Sequence, residues 1–530
     1  MEINDSDVLN KMKLIKGKIE KLIEQGLIKD AREALDNYGK IIPNDADACS
    51  MRAVIEIMEN NKNEAESILI KALKEYPFNF DLNYNLGYLY EQKGLYLKAL
   101  EKYENALFGN EIKEKKSIAM DAINNLEVQY KDEIQSQLND TAAYKEKVSD
   151  NDKLNLHIMY DSQYCDKFIQ FVNRKFDSKR HLFIITSDDC SELKYVHVEG
   201  IDNIRVLSIP KDINELLRYI NISSKIFIHY LFDYFCQIIC LYNINRPIYW
   251  IVWGGDLYNY IGVNLYDKLT DEYLTLKGYN NNFALVNNPI SYLRKSAIRK
   301  IDFILTGLEN ADMDYITLKN NYITCAKRMP FMYPNPVDFF LLEKNTYVRE
   351  KITLKNRYKH VIFGGNSANP SNNHLEILHM LKTKKSEDFC ILMPLSYGAD
   401  NWYVDYIINE GKKMFGERFL PLTGYLSPKD YYGILRQIDI AIFNHNRQQA
   451  VGSIIALLYL GKKVYIKDSI TTYSFLKELG LTVFNINELS ENDFLKLDNH
   501  LDLKNKQVIL EQFNDMSILK NLKSCFDMNY

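Results

Sequence analysis

The sequence predicts an α/β protein in three parts: an all-α helical repeat followed by two parallel-sheet domains of comparable size. Three observations carry this. Ala31, Ala65 and Ala99 recur at a period of 34 residues. From Leu154 short apolar runs alternate with helical stretches, the pattern of strand–helix–strand units. The alternation restarts at His360, after a stretch from Met329 to Phe340 whose Pro330, Pro334 and Pro336 read as a crossing between domains. The expected boundaries are 1–110 for the repeats, 111–152 for a capping helix and linker, 153–340 for the first α/β domain and 341–530 for the second with C-terminal helices.

At 530 residues the chain is too long for one hydrophobic core. Apolar residues make up 46% and charged residues 26%, the balance of a soluble globular protein. A net charge of −4 leaves no basic excess to meet phosphates, which argues against nucleic acid as the main partner. The polar, acidic start MEINDSDVLNKMK predicts no signal peptide, and so a cytoplasmic protein with at most peripheral contact at the inner face of the plasma membrane. The longest apolar run, Ile226 to Tyr242, contains His229, Asp233 and Gln237 and reads as a strand and buried helix, not a membrane span. Eight cysteines without CxxC spacing predict reduced structural thiols.

In the N-terminal part, Gly26 and Gly94 share one offset of the period and Pro43 and Pro77 another. The clearest copy carries Tyr84, Leu86-Gly87, Tyr90, Gly94, Ala99, Tyr103 and Ala106. Small residues suit the close crossing of two antiparallel helices, and aromatics fill the gaps between them. Period and pattern resemble a tetratricopeptide array of about three helix pairs. Such a stack presents a concave surface to a peptide or another domain. Residues 111–152 are polar with weak periodicity.

In the first α/β domain the runs Leu154–Met159, His181–Thr186, Ile204–Ile209, Lys225–His229, Ile248–Val252 and Phe303–Thr306 predict strands, with a helix near Leu308 to Leu318. In the second they are Val361–Phe363, Phe389–Met393, Phe419–Leu422, Asp439–Phe443, Lys463–Ile466 and Thr482–Phe484. Two Rossmann-like domains with a cleft between them suggest the GT-B architecture of nucleotide-sugar glycosyltransferases.

The central stretch is HVIFGGNSANPSNNHLEILHML, His360 to Leu381. A buried strand, a glycine turn and a helix start make a ready anion site, because free amide N–H groups and the positive dipole end meet there. Asn373 and Glu376 have the spacing of a capping box. Asn366, Ser367 and Asn369 are candidates for the donor's diphosphate or sugar. The second stretch is PLTGYLSPKDYYGILRQIDIAIFNHNRQQAVGSIIALLYLGKKVYI. Gly452 and Ser453 open a helix toward a diphosphate, and Arg447 offers a planar guanidinium to phosphate oxygens. Gln448 lies beside it. Gln449 stands where many such enzymes place a sugar-binding glutamate. Leu457 stands where they place a ribose-binding glutamate, which predicts a nucleoside without a 2′-hydroxyl. Tyr397 and Tyr425 are further nucleoside candidates.

The third stretch, IYWIVWGGDLY, ends a strand of the first domain. Trp253, Gly254 and Gly255 suggest an acceptor wall. Asp256 can take a hydroxyl proton as a general base, or simply cap the next helix. His229, ending the preceding strand, is a second catalytic candidate.

WGGDLY, FGGNSANPSNNH and RQQAVGS, in this order, resemble the TDP-N-acetylfucosamine:lipid II N-acetylfucosaminyltransferase family. The resemblance covers roughly Leu154 to Leu489 and leaves out the repeats. It implies transfer of a deoxy-acetamido sugar from TDP to a lipid-linked glycan in surface polysaccharide synthesis. Where that family tends to have glycine after the histidine, this chain has Tyr230. No Asp-x-Asp motif sits in a strand-end loop, so no metal or other cofactor is expected, and helix dipoles with Arg447 would stabilise the leaving group. Two other readings stand beside this one. One is a protein O-glycosyltransferase whose repeats capture a polypeptide acceptor. The other is a non-catalytic scaffold with a degenerate sugar-nucleotide domain. The repeats contain nothing that binds a diphosphate, so residues 1–110 are expected to be dispensable for donor hydrolysis.

Overall fold

A computed structural model of the chain describes residues 5–109, 113–142, 154–187, 193–197, 200–262, 264–279, 288–307, 313–334, 337–343, 354–384, 388–424, 426–490 and 499–527. Tyr425, Pro336, the start of the helix expected near Leu308 and the end of the 111–152 segment lie outside these residues.

Six helices, α1 (Asp5–Glu24), α2 (Ile28–Ile41), α3 (Ala46–Met58), α4 (Lys62–Leu73), α5 (Phe80–Glu91) and α6 (Tyr96–Ala106), follow one another through short turns. Ala31, Ala65 and Ala99 are fully buried where helices cross. At Gly87 a Cβ would lie 2.7 Å from the Tyr103 ring, so the crossing of α5 and α6 admits no side chain there. Two further helices follow, α7 (Lys113–Gln129) and α8 (Lys131–Ala142), where one capping helix and a linker are expected. Ala119, Ile123 and Leu126, then Ile134 and Leu138, supply one buried stripe each among long charged side chains. That thin stripe is why the periodicity reads as weak.

The first sheet contains β1 (Asn155–Tyr160), β2 (His181–Thr186), β3 (Ile204–Leu207), β4 (Lys225–His229), β5 (Ile248–Ile251), β6 (Phe303–Thr306) and β7 (Lys327–Pro330). Its order is β3-β2-β1-β4-β5-β6-β7. Every pairing is parallel. The strand β7 occupies the start of the expected crossing. It is a short edge strand with Lys327 exposed, and it stops at a proline, so it lacks the apolar run that marks its neighbours.

The second sheet contains β8 (His360–Gly364), β9 (Phe389–Pro394), β10 (Phe419–Leu422), β11 (Ile440–Phe443), β12 (Lys463–Ile466) and β13 (Phe484–Asn485), in the order β10-β9-β8-β11-β12-β13. Strands such as β2 and β9 are buried at every position, as helices on both faces of a parallel sheet require. Both sheets share the doubly wound Rossmann order. The strand order reverses between β1 and β4 in one and between β8 and β11 in the other, where such sheets bind ligands.

Each domain lends a segment to the other. The helix Lys268–Leu276 belongs in sequence to the first domain, yet its Leu274 joins the second domain's core beside Leu375 and Leu378. The last helix, Asp515–Asp527, returns to the first sheet, where Ile518, Leu522, Cys525 and Phe526 pack against Phe168 and Phe227. Lys225 Nζ donates to the carbonyls of Cys525 and Phe526 at 3.1 and 2.7 Å. The expected assignment of all C-terminal helices to the second domain is thus corrected, because the apolar face of the last helix is completed only by the first sheet. Two Rossmann domains closed by a C-terminal helix that crosses back form the GT-B architecture, here preceded by an all-α region.

The all-α region is bonded to the first domain rather than tethered to it. Glu104 of α6 pairs with Arg299 of the Pro289–Lys300 helix, and both are buried.

Candidate active site

The loop after β8 is held in shape by its own amides. Gly365 has φ +74°, and a Cβ there would lie 2.8 Å from Asn372 Oδ1. That oxygen accepts from Asn366 N at 2.8 Å and from His445 Nε2 at 2.9 Å, while Asn372 Nδ2 donates to Ser367 Oγ and the Asn369 carbonyl. Ser367 is buried, its hydroxyl spent inside the loop and its carbonyl bonded to His374. It therefore shapes the loop and does not face the cleft, a correction to its expected role. Asn366 and Asn369 remain half-buried. The capping box also fails. Asn373 takes φ 52° and caps nothing; its amide binds the Asn444 carbonyl and Asp267 N instead. Glu376 accepts from Thr270 N and Oγ1 at 3.0 and 2.6 Å. Both side chains are drawn to the segment lent by the first domain.

The loop after β11 joins this one. Gln449 Nε2 donates to Asn366 Oδ1 at 3.0 Å, and Ser371 Oγ donates to Gln449 Oε1 at 2.9 Å. The two loops, some 80 residues apart in sequence, thus form one surface, as adjacent parallel strands β8 and β11 dictate. Arg447, Asn369 and Pro370 then line a cleft of about 360 Å³ with Gly255, Tyr258 and Tyr266 of the first domain.

Arg447 is the electrostatic centre of that cleft. Its guanidinium lies against Gly254 and over the Tyr258 ring, 5.4 Å from the centroid. Among the described residues no carboxylate forms an ion pair with it, and its Nε is buried without a partner. Burial lowers its pKa, with Asp314 the largest opposing influence. A half-buried guanidinium that no carboxylate pairs with, facing a cleft, is a ready partner for an anion. Four residues on, the helix Val451–Tyr459 starts from Ala450 at φ 61° with no side-chain cap. Its first N–H groups, including those of Gly452 and Ser453, are therefore open to a ligand. Ser453 Oγ meets Tyr431 OH at 3.0 Å. Gln448 reaches the other way, its Nε2 near Gly307 at the end of β6 and its Oε1 buried without a partner.

These observations meet an independent one. Residues 284–526 match the family model described as 4-alpha-L-fucosyltransferase, glycosyl transferase group 56. This region is similar to the group 56 glycosyltransferases. The protein is accordingly a glycosyltransferase. Solved structures resemble the chain more distantly. An O-GlcNAc transferase of Thermobaculum terrenum is 13% identical at TM-score 0.40, covering 99% of this chain and 98% of its own. The Anabaena protein HepE, solved with UDP and glucose, is 12% identical at TM-score 0.48, covering 71% and 99%. A glycosyltransferase of Rickettsia africae is 13% identical at TM-score 0.45, covering 71% and 98%.

In the first α/β domain of this glycosyltransferase the two catalytic candidates are sealed. Asp256 is fully buried, and its carboxylate accepts from Leu231 N at 3.0 Å, Trp250 Nε1 at 2.7 Å and Trp253 N at 2.9 Å. Burial raises its pKa while these three donors pull it down. It ties the loops after β4 and β5 together and touches no open space, so its expected role as general base is corrected to that of a clamp. His229 is also fully buried, and burial lowers its pKa to about 3. It lies in a chain of rings: His229 Nε2 meets His157 Nδ1 at 3.1 Å, and His157 Nε2 meets His181 Nδ1 at 3.0 Å. Tyr333 OH bonds to His229 Nδ1 and accepts from Trp253 Nε1 at 2.9 Å. An indole N–H can only donate, so Tyr333 passes its own proton toward His229 and each ring donates from Nε2 to the next. His229 is a neutral support for Trp253 and does not reach the cleft.

Trp253 itself is half-buried, with Tyr160 and Tyr164 rings 5.4 and 5.6 Å away. Gly254 has φ +89°. Tyr230 has φ 78°, a left-handed backbone that glycine takes without strain. Tyr397 is 60% exposed, and its carbonyl holds Ala368 N at 2.7 Å. Leu457 is fully buried in the apolar core with Ile454 and Leu458. It faces no nucleoside. The helix turns that position inward, so the argument from Leu457 against a ribose lapses.

Sequence reasoning passed over Tyr258, Tyr333, Asn372 and Arg294. Tyr258 closes the motif WGGDLY and was legible there. Arg294, in the charged stretch SYLRKSAIRK, carried no signal separating it from the lysines and arginine around it.

Proposed function

We propose that the protein transfers a deoxy-acetamido sugar from a nucleoside diphosphate, TDP, to a lipid-linked glycan. The observation that carries this is Arg447, a half-buried guanidinium in the interdomain cleft that forms no ion pair among the described residues, four residues ahead of an uncapped helix start. As the bond from the sugar's anomeric carbon to the phosphate oxygen breaks, the diphosphate gains negative charge. Arg447 and the N–H groups of Gly452 and Ser453 meet that charge without a metal ion. Asn366 and Gln449, bonded to each other, present amide edges to the sugar, and Asn369 lines the same cleft. The fucosyltransferase description of the matched family supports a deoxy sugar, and the three motifs support the thymidine nucleotide and the lipid-linked acceptor.

No helix among the described residues is long and apolar enough to cross a membrane, so such an acceptor would be met at the membrane surface. The reading is tested by incubating the protein with TDP- and UDP-linked deoxy-acetamido sugars and measuring nucleoside diphosphate release. Faster release from the TDP sugar supports the reading; release from neither, or a preference for UDP, refutes it.

A further inference from the structure

We propose that the Pro289–Lys300 helix couples the N-terminal helices to the acceptor side of the cleft, with Arg294 as the positioning residue. The inference rests on the reading that the loops after β4 and β5 hold the acceptor.

One side of this helix is bonded to the all-α region. Tyr292 OH donates to Asn124 Oδ1 of α7 at 3.0 Å, and Lys295 pairs with Glu127. Arg299 pairs with Glu104 of α6 and lies 3.6 Å from Glu127. Tyr292 belongs to the same apolar cluster as Leu100, Tyr103 and Ile123. Residues 292, 295 and 299 repeat at helical spacing, so these contacts share one face.

Arg294 leaves from the other side and is fully buried. Its Nη2 donates to the Leu231 carbonyl at 2.6 Å and to the Asp256 carbonyl; its Nη1 donates to Asp233 Oδ1 at 3.1 Å. The guanidinium stacks on Tyr260, 3.7 Å from the ring centroid. One planar fork therefore grips both strand-end loops from behind, while Asp256 ties the same loops from within. A shift of the helix against α6 and α7 moves this fork, and with it the backbone of Tyr230 and of Trp253 to Gly255. The donor loops after β8 and β11 receive none of these bonds. The all-α region thereby tunes acceptor geometry first, and reaches the nucleotide only through Gly254, against which Arg447 lies.

Full-length Glu104→Gln and Glu127→Gln are compared with the parent protein by hydrogen–deuterium exchange, and thymidine diphosphate is titrated into each. The expected result is exchange faster by about tenfold or more in peptides spanning 229–236 and 252–260, with peptides spanning 389–394 unchanged and nucleotide affinity weaker by less than about tenfold. Arg294→Met gives the same local loss, and in hydrolysis of a TDP sugar it lowers kcat about tenfold with a smaller change in KM; Arg294→Lys restores part of both. Should Glu104→Gln not fold, Asn124→Ala, which removes only the bond to Tyr292, carries the same expectation. Loop exchange unchanged in the α6 and α7 variants, or acceleration spread evenly over both domains, overturns the coupling. A parent protein that binds no nucleoside diphosphate overturns the functional reading, while the exchange comparison still decides the coupling.

Discussion

Arg447 of the second domain lies against Gly254 of the first, so closely that a Cβ on Gly254 would stand 2.5 Å from Arg447 Nη1. Gly254 also has φ +89°, so two independent constraints demand glycine there. Gly254→Ala is expected to displace the guanidinium and cost about 1–2 kcal/mol in backbone strain. Nucleoside diphosphate affinity should fall about tenfold while the protein stays folded. Calorimetric titration and thermal unfolding check the two halves of this statement.

Asp256→Asn tests clamp against base. An amide cannot accept all three bonds from Leu231 N, Trp250 Nε1 and Trp253 N, and its NH2 faces donors. The expected loss is about 1–3 kcal/mol of stability for each donor left unpaired, read by denaturant unfolding. Unchanged stability with turnover about a hundredfold lower would restore Asp256 as a general base.

The buried histidines set a pH dependence. Burial lowers His181 and His229 to about 3 and His157 well below its ordinary value of 6.5. In the unfolded chain these rings take up protons near 6.5; in the folded protein His181 and His229 resist until about 3, and His157 is likewise held well below its ordinary value. Their contribution is therefore fully present above about 6.5 and is lost as pH falls toward 3, at about 1.4 kcal/mol per pH unit for each ring. The melting temperature should drop steadily between pH 6.5 and pH 4. A flat profile there would contradict the neutral chain.

The two domains were legible because their parallel strands are buried on both faces and so read as unbroken apolar runs. The strand β7 was not, because an edge strand ending in proline looks like a loop. At the site, Arg447, Asn369 and Gly255 were visible through motif order, and the cleft contains all three. Asp256, His229, Ser367 and Leu457 were assigned by residue type and position, but burial decides whether such groups meet a ligand, and burial depends on partners distant in sequence. Asp256 shows this: its chemistry is that of a base, yet Trp250, Trp253 and Leu231 consume it.

A chain starting near Asn151 deprives Arg299 of both its partners, Glu104 and Glu127, and uncovers the helix face that carries Tyr292. Such a chain should lose about 1.5–3 kcal/mol of stability through exposure of the Tyr292 ring alone, before any effect on activity is counted. Equal denaturant midpoints for the first α/β domain in the full-length and shortened proteins would show that these contacts are dispensable.

The central claim is that Arg447 receives the donor diphosphate, and titration of thymidine diphosphate into the parent protein and Arg447→Gln measures it directly. The account predicts saturable binding to the parent and affinity weaker by about tenfold to a hundredfold in the variant, at equal melting temperature. Equal affinity for both proteins, or no binding by the parent, would contradict it.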